Sequence, residues 1–376
     1  MIHVVIGTKA QLIKMAPVLV SLNESGIEYN LVHTSQHAEQ IDDLLDNFQL
    51  RPPDYTFLQG SGDVTSRRGM LAWIIGCVLE FRRHREQIFR GDRDGIVLVH
   101  GDTFSTLMGA MLARTCGMRV GHVEAGLRSY HIFHPFPEEL TRILTSRLAH
   151  FHYCPGAWAM RALEGRAGEI IDLGANTLYD SLHAALSSRR HAACGAPRVP
   201  FGVVSMHRYE NIFNRKRFET CIEIIEAVAR RYRLIFIMHR PTEQQARKYG
   251  LWERLQSNPD IVCRGRSDYF SFLGLLSRSE LLVSDGGSNQ EESYYLGLPC
   301  LLLRKATERP EGLTQNVVLS EYRSERAMQF CDQLPSLRRD PCVLPATPSD
   351  ILVAHCRQRL DAGAKVPLAP TDAQAA

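Results

Sequence analysis

Short β-branched runs recur along this chain, each closing on glycine or a polar residue and each followed by helical periodicity, and that rhythm commits it to βαβ units with parallel sheets. The first run is His3 to Ile6, followed by Gly7-Thr8 and a helix carrying Ile13 and Leu19. Further strands are predicted at Tyr29 to His33, Ile96 to His100, Arg119 to Val123 and Phe151 to Cys154. A second series follows at Phe201 to Ser205, Leu234 to Met238, Ile261 to Cys263, Leu281 to Ser284 and Pro299 to Leu303. Two complete series in 376 residues predict an α/β chain of two doubly wound, Rossmann-like domains facing each other across a cleft. The stretch from Ser187 to Pro200 has the glycine and proline punctuation of a linker, which sets the domains at 1–186 and 187–363. Ser349 to Leu360 reads as a closing helix, and the small, nearly uncharged tail 364–376 as disordered.

Composition removes several classes of function. With 44% hydrophobic and 23% charged residues the chain has enough apolar surface to fold as a globular protein. A net charge of +3 is too small for a nucleic-acid partner, and the basic stretch from Arg82 to Arg93 reads as the solvated face of a helix. No apolar run reaches the roughly 18 residues of a membrane span. The opening MIHVVIG is too short and too soon polar for a signal peptide, so a cytoplasmic location is expected. Ten cysteines without a C-x-x-C pair predict reduced thiols, mostly in cores, and neither a metal site nor a redox motif.

Ligands of open parallel sheets bind beyond the carboxyl ends of the strands, so the residues after each strand carry the chemistry. After the first, Gly7 allows a tight turn while Lys9 and Lys14 bring positive charge, although a glycine there also serves turn geometry alone. Asp102 in His100-Gly-Asp-Thr103 and Glu124 in Gly121-His-Val-Glu-Ala-Gly-Leu-Arg128 deliver carboxylates to the same edge. Glu138 and Glu139 open a helix in Pro135-Phe-Pro-Glu-Glu-Leu-Thr-Arg142, where they also complement the helix dipole. Neighbouring carboxylates raise one another's pKa, which would make some of them acids and others bases near neutrality.

In the second domain His207 and Arg208 end one strand and His239 with Arg240 the next, offering donors for a phosphate or a proton shuttle. The block Ser284-Asp-Gly-Gly-Ser-Asn-Gln-Glu-Glu-Ser293 runs from a strand through a glycine turn into a helix. Amides at Gly286 and Gly287, the Ser288 hydroxyl and the helix dipole suit a diphosphate. Glu292 suits a ribose, although a helix also favours an acid near its start. Arg304 and Arg309 add charge-assisted donors.

These segments resemble the non-hydrolysing UDP-N-acetylglucosamine 2-epimerases, which share the GT-B architecture. The resemblance rests on GTKAQLIKMAPV, TSQH at Thr34 to His37, HGDT, GHVEAGLRS, PFPEELTR, SMHRYEN, GGSNQEE and TERPEG, spanning residue 7 to about 320 in the family's order. It implies C2 epimerisation of a UDP-N-acetyl sugar by loss and readdition of UDP through an enzyme-held 2-acetamidoglucal, in the synthesis of bacterial-type surface polysaccharide precursors. Asp102, Glu124, Glu138 and His207 fall on the family's catalytic positions. Gly286, Gly287, Ser288, Glu292 and Arg309 fall where UDP is held, with Lys14 and His207 close to its phosphates. Gln36 and His239 fall where some members make a second, regulatory UDP-sugar contact. A homodimer is implied, and no metal or redox cofactor. Three departures bear on the chemistry: Lys9 stands in place of a phosphate-binding arginine, Gly286-Gly-Ser288 replaces the family's Ser-Gly-Gly, and nothing beyond Leu319 matches the family's terminal segment. The HRxEN form at His207 to Asn211 is similar to relatives that epimerise other UDP-2-acetamido sugars. A glycosyltransferase with a UDP-N-acetyl sugar donor, a hydrolysing epimerase and a UDP-sugar sensor remain the alternatives.

Overall fold

The computed structural model describes residues 1–36, 41–60, 67–130, 137–188 and 194–362. The chain divides into two compact units, the first Met1–Ser181 with Pro345–Ala376 and the second Leu182–Leu344.

In the first unit a parallel sheet is ordered β3-β2-β1-β4-β5-β6-β7. Its strands are β1 (Ile2–Ile6), β2 (Tyr29–His33), β3 (Tyr55–Thr56), β4 (Ile96–His100), β5 (Arg119–Val123), β6 (Phe151–Cys154) and β7 (Glu169–Asp172). The central strands are wholly buried, as expected of strands covered by helices on both faces. Their core includes Val5, Val97, Val99 and Val120, packed with Trp73, Cys77 and Phe81 from the Arg67–Ile88 helix. The sheet order reverses between β1 and β4, so the turns after these two strands flank the crevice where such sheets bind ligands.

The second unit repeats the plan with order β10-β9-β8-β11-β12-β13. Its strands are β8 (Gly202–Ser205), β9 (Leu234–Met238), β10 (Ile261–Gly265), β11 (Leu281–Ser284), β12 (Cys300–Leu302) and β13 (Val317–Leu319). Here the reversal lies between β8 and β11, which sets Met206 to Arg208 beside Asp285 to Ser288. Phe218, Ile222, Ile225, Phe236, Val283 and Phe330 form the core. The cysteines are free thiols, six of them buried (Cys77, Cys154, Cys221, Cys300, Cys331 and Cys356).

Two expectations need correction. The closing helix, Pro348–Asp361, was expected to end the second domain, but the chain returns and packs this helix on the first unit. Tyr153 Oη lies 2.9 Å from His355 Nδ1 and 3.2 Å from Cys356 Sγ, Arg359 donates to Glu169 at 2.6 Å, and Ser21 Oγ donates to Asp350 at 2.6 Å. The second domain also begins earlier than Ser187, at Leu182 within the Leu178–Ser187 helix. The linker residues 189–193 and the tail 364–376 lie outside the described residues.

The returning helix is gripped at its start by Asp180, whose Oδ2 accepts from Ser349 N at 2.8 Å and from Ser349 Oγ at 2.5 Å. Burial pushes this carboxyl up to about 6, the Ser349 donors oppose the rise, and the nearby Asp350 adds to it. A folded-state value above the unfolded one means that the folded chain binds this proton more tightly. The group's contribution is therefore fully present below about pH 4 and is lost as pH rises through about 6. Asp180→Asn removes the titration, so the unfolding free energy of the variant minus that of the parent is expected to rise by about 2 kcal/mol from pH 4.5 to 7.5. Urea denaturation at the two pH values measures it, and a difference independent of pH refutes the assignment.

Candidate active site

At the switch point of the first sheet, Gly7 is required for space rather than for its turn. A Cβ at this position would overlap the Ser105 and Thr34 side chains, and its φ is not positive. Thr8 caps the Lys9–Glu24 helix. Gln11 ties the two switch-point turns together, accepting from Gly7 N at 2.8 Å while donating to His100 O at 2.7 Å and Thr106 Oγ1 at 3.0 Å. Gln36 is folded onto the first turn of the Phe104–Thr115 helix, its Oε1 accepting from Ser105 N at 3.0 Å and Ser105 Oγ at 2.7 Å. His37, Pro135 and Phe136 lie outside the described residues.

Three of the acids at this edge, Asp102, Glu124 and Glu139, are each held by their own cation. Arg142 grips Asp102 Oδ2 through Nε at 2.9 Å and Nη2 at 2.5 Å. Glu124 is ion-paired to the buried Lys14 through Oε1 and accepts from Asn176 Nδ2 on the same oxygen at 2.5 Å. Its Oε2 lies 3.8 Å from His100 Nε2. Glu138 opens the Glu138–Leu148 helix, and Thr141 Oγ1 donates to the carbonyls of both Glu138, at 2.8 Å, and Asp102. Glu139 is fully buried and accepts from Arg128 Nε at 2.5 Å and Ser129 N at 2.9 Å. Burial alone would raise its carboxyl, but the Ser129 N–H and the Arg128 guanidinium outweigh burial and hold it below the usual range. The mutual raising of pKa expected of clustered acids thus fails at Glu139, which serves as a structural anchor. Glu124 itself takes a left-handed backbone, φ 64°, an unfavourable conformation for a non-glycine residue and one that concentrates at functional sites.

The charges of both lysines are engaged. Lys9 Nζ donates to Asp43 at 2.6 Å, so the position that replaces an arginine is tied to a neighbouring helix. Lys14 is turned towards Glu124.

At the switch point of the second sheet, the organising residue is one that sequence reasoning passed over. Asp285 is fully buried and accepts from His207 N at 3.0 Å, Arg208 N at 3.0 Å and Asn211 Nδ2 at 2.9 Å. These bonds fold the His207 turn over the start of the Gly287–Tyr295 helix. The signal was the acid in Ser284-Asp-Gly-Gly, after a buried strand and beside the backbone amides of a neighbouring turn. The His207 ring is 42% exposed and packs against His239 with centroids 4.7 Å apart. Burial, with the nearby His207 and Arg266 adding to it, pushes His239 down to about 3, so this ring is neutral at physiological pH. Arg208 donates to Glu210 at 3.0 Å.

Gly286 caps the Gly287–Tyr295 helix, and a Cβ there would come within 2.8 Å of Asn289 Oδ1 and 3.1 Å of His207 Cε1. The shifted hydroxyl of the Gly286-Gly-Ser288 turn therefore has a local reason: Asn289 occupies the space that a serine at 286 would need. Ser284 Oγ donates to Asn289 Oδ1 at 3.0 Å and accepts from Gly286 N at 3.1 Å. Ser288 is half-buried. Arg309 lies against Gly287, 2.9 Å from where its Cβ would stand, and pairs with the buried Glu291. Glu292 accepts from Tyr269 Oη at 3.1 Å and from Asn289 Nδ2 at 2.8 Å. Arg304 donates to Glu308 at 2.9 Å.

Two reversed parallel sheets, one with ion-paired acids after its central strands and one with a glycine-capped helix beside a histidine, define a doubly wound α/β protein of the kind that holds phosphorylated ligands at strand ends. The family model described as UDP-N-acetylglucosamine 2-epimerase matches residues 21–340. The chain belongs to the UDP-N-acetylglucosamine 2-epimerase family. It is 31% identical to the UDP-N-acetylglucosamine 2-epimerase of Methanococcus maripaludis, over 84% of this chain and 86% of that one. Among solved structures it is similar to the Methanocaldococcus jannaschii UDP-GlcNAc 2-epimerase in complex with UDP-GlcNAc and UDP, at TM-score 0.80 and 26% identity, covering 95% of this chain and 99% of that one. The Neisseria meningitidis UDP-GlcNAc 2-epimerase bound to UDP-GlcNAc gives the same TM-score, identity and coverage. The match runs past Leu319, where the sequence resemblance had ended. Among the described residues no helix is long and apolar enough to cross a membrane.

Proposed function

We propose that this chain epimerises C2 of UDP-N-acetylglucosamine, or of a closely related UDP-2-acetamido sugar, by eliminating and readding UDP. Family membership across most of the chain carries this reading, together with the placement of Asp102 after β4, Glu124 and Glu138 after β5, and His207 after β8, all beyond strand ends. In the forward half-reaction a base takes the C2 proton and the C1–O bond to UDP breaks, giving 2-acetamidoglucal. Readdition of UDP at C1, with protonation of C2 from the opposite face, completes the cycle. Asp102, Glu124 and Glu138 are the acid and base candidates. His207, Arg208, Lys9, Lys14 and Arg309, with the amides of Gly286 and Gly287 and the Ser288 hydroxyl, stabilise the departing diphosphate, and Glu292 holds the ribose. A product destined for surface polysaccharide precursors, made in the cytoplasm, fits this chemistry.

Incubation with UDP-N-acetylglucosamine in deuterium oxide is expected to place deuterium at C2 and to form the C2 epimer. Absence of label at C2 sinks the reading; free UDP in buffer alone would mean hydrolysis, and acceptor-dependent UDP release a glycosyltransferase. Gln36 and His239 are proposed to take part in a second UDP-sugar contact, which calorimetry checks: one site per chain at saturation removes it.

The homodimer is proposed from the Arg67–Ile88 helix, which is apolar on two faces. Trp73, Cys77 and Phe81 face the core while Leu71, Ile75 and Leu79 stay 60%, 51% and 48% exposed. An apolar stripe on a helix already packed on its other side marks an association surface. Light scattering is expected to give twice the chain mass, and Ile75→Glu the monomer; a monomeric parent protein refutes the proposal.

A further inference from the structure

Asn176 occupies the turn between β7 and the Leu178–Ser187 helix and is 2% exposed. Its side-chain oxygen accepts from Leu178 N at 3.2 Å, capping the helix, and its amide nitrogen donates to Glu124 Oε1 at 2.5 Å. The two contacts fix the orientation of the amide. Turned over, it would set an NH2 group against the Leu178 N–H and a carbonyl oxygen against a carboxylate, so both contacts would become repulsive.

Lys14, from the Lys9–Glu24 helix, meets the same Oε1. A lysine is a compact charge on a flexible stem and does not by itself set the plane of a carboxylate. A planar amide fixed at its other end does. The oxygen opposite, Oε2, is then held towards the turn after β4, 3.8 Å from His100 Nε2 and 3.3 Å from the Cβ position of Gly101. That turn carries Asp102. Among the described residues Lys14, His100 and His122 are titratable groups that act on Glu124, and Asn176 contributes a neutral donor.

We propose that Asn176 is a positioning residue for Glu124: with its oxygen committed to the helix cap, its NH2 sets the carboxylate plane and directs Oε2 at the Asp102 turn. The proposal rests on the reading of Glu124 as an acid–base group of the epimerase. The arrangement makes the first turn of a helix a support for the reacting carboxylate, and that support is independent of the Lys14 charge.

Asn176→Asp tests it, because aspartate keeps the capping oxygen and changes only the atom that faces Glu124. Two carboxylates would then share one site, so Glu124 should hold its proton more tightly, by about one pH unit or more. A 13C titration of the Glu124 carboxyl, assigned by its loss in Glu124→Gln, reads this without substrate. The limb of the kcat–pH profile that belongs to Glu124 should move by the same amount. Asn176→Ala is expected to lower kcat about tenfold or more with KM within about twofold, the split expected when an interaction made only in the transition state is lost. If the alanine variant misfolds, the aspartate variant carries the test. An unmoved Glu124 titration in Asn176→Asp overturns the proposal. A moved titration in a protein whose wild type gives no C2 exchange keeps the positioning role and overturns the epimerase reading instead.

Discussion

Glu124→Gln is expected to lower kcat for C2 exchange by a factor of about 100 to 10,000, the range over which a positioned general acid or base contributes. The substitution preserves shape: an amide oxygen can still accept from Lys14 and Asn176, the two donors that converge on Oε1. It removes the charge. Lys14, buried beside Glu124, is left with a neutral partner, and breaking a buried pair costs about 3–5 kcal/mol when one charge is stranded. Loss of stability and loss of chemistry therefore arrive together, and a second substitution separates them. Adding Lys14→Met takes away the stranded charge, so the double variant should regain much of the lost stability while its kcat stays low. Urea denaturation and deuterium incorporation at C2 measure the two effects. Near-parental exchange by a folded Glu124→Gln protein would remove Glu124 from the acid–base candidates.

The central strands were legible because burial on both faces leaves an unbroken apolar record, as in Ile96–His100 and Leu234–Met238. Strands β3, β7 and β13 were not. Tyr55–Thr56 is two residues long, Glu169–Asp172 is partly exposed, and Val317–Leu319 is three residues long, so none has the length or alternation that marks a strand. The closing helix was visible as a helix, but its home was not. Its attachment depends on Tyr153–His355 and Asp180–Ser349, contacts between residues 202 and 169 positions apart, and no local pattern encodes such a distance.

The site follows the same division. Strand ends could be read, so the positions of Asp102, Glu124, His207 and Gly286 followed from the fold. The partners could not: an arginine four residues into a helix, Arg142, neutralises Asp102, and an asparagine two strands away, Asn176, holds Glu124. A charge read from sequence is a bare charge. In the folded chain Lys9 is spent on Asp43 and Arg309 is paired with Glu291, so the positive potential available to a diphosphate is smaller than the count of basic residues suggests. In the proposed reaction, backbone amides and His207 would then carry more of that task.

Asp285→Ala is expected to be among the most damaging substitutions in the second unit, costing about 3–5 kcal/mol in unfolding free energy. Its fully buried carboxylate accepts two backbone N–H groups and one side-chain amide, and each donor left without a partner in a buried site costs about 1–3 kcal/mol. The donors also define the ligand turn, since His207 N and Arg208 N belong to it and Asn211 is held in place by Tyr322 Oη at 2.9 Å. UDP affinity should therefore fall at least about tenfold, because the bound geometry is no longer formed in advance. Asp285→Asn keeps the volume but turns an NH2 towards donors, so it should also weaken UDP binding, with a smaller loss of stability. Asn211→Ala draws on the same network, and its cost combined with Asp285→Ala should fall short of the sum of the two, as expected for residues that share partners. Calorimetric titration with UDP and denaturation of the three variants decide the matter: additive costs, or a folded Asp285→Asn protein that binds UDP as the parent does, would mean that the His207 turn is held by other contacts.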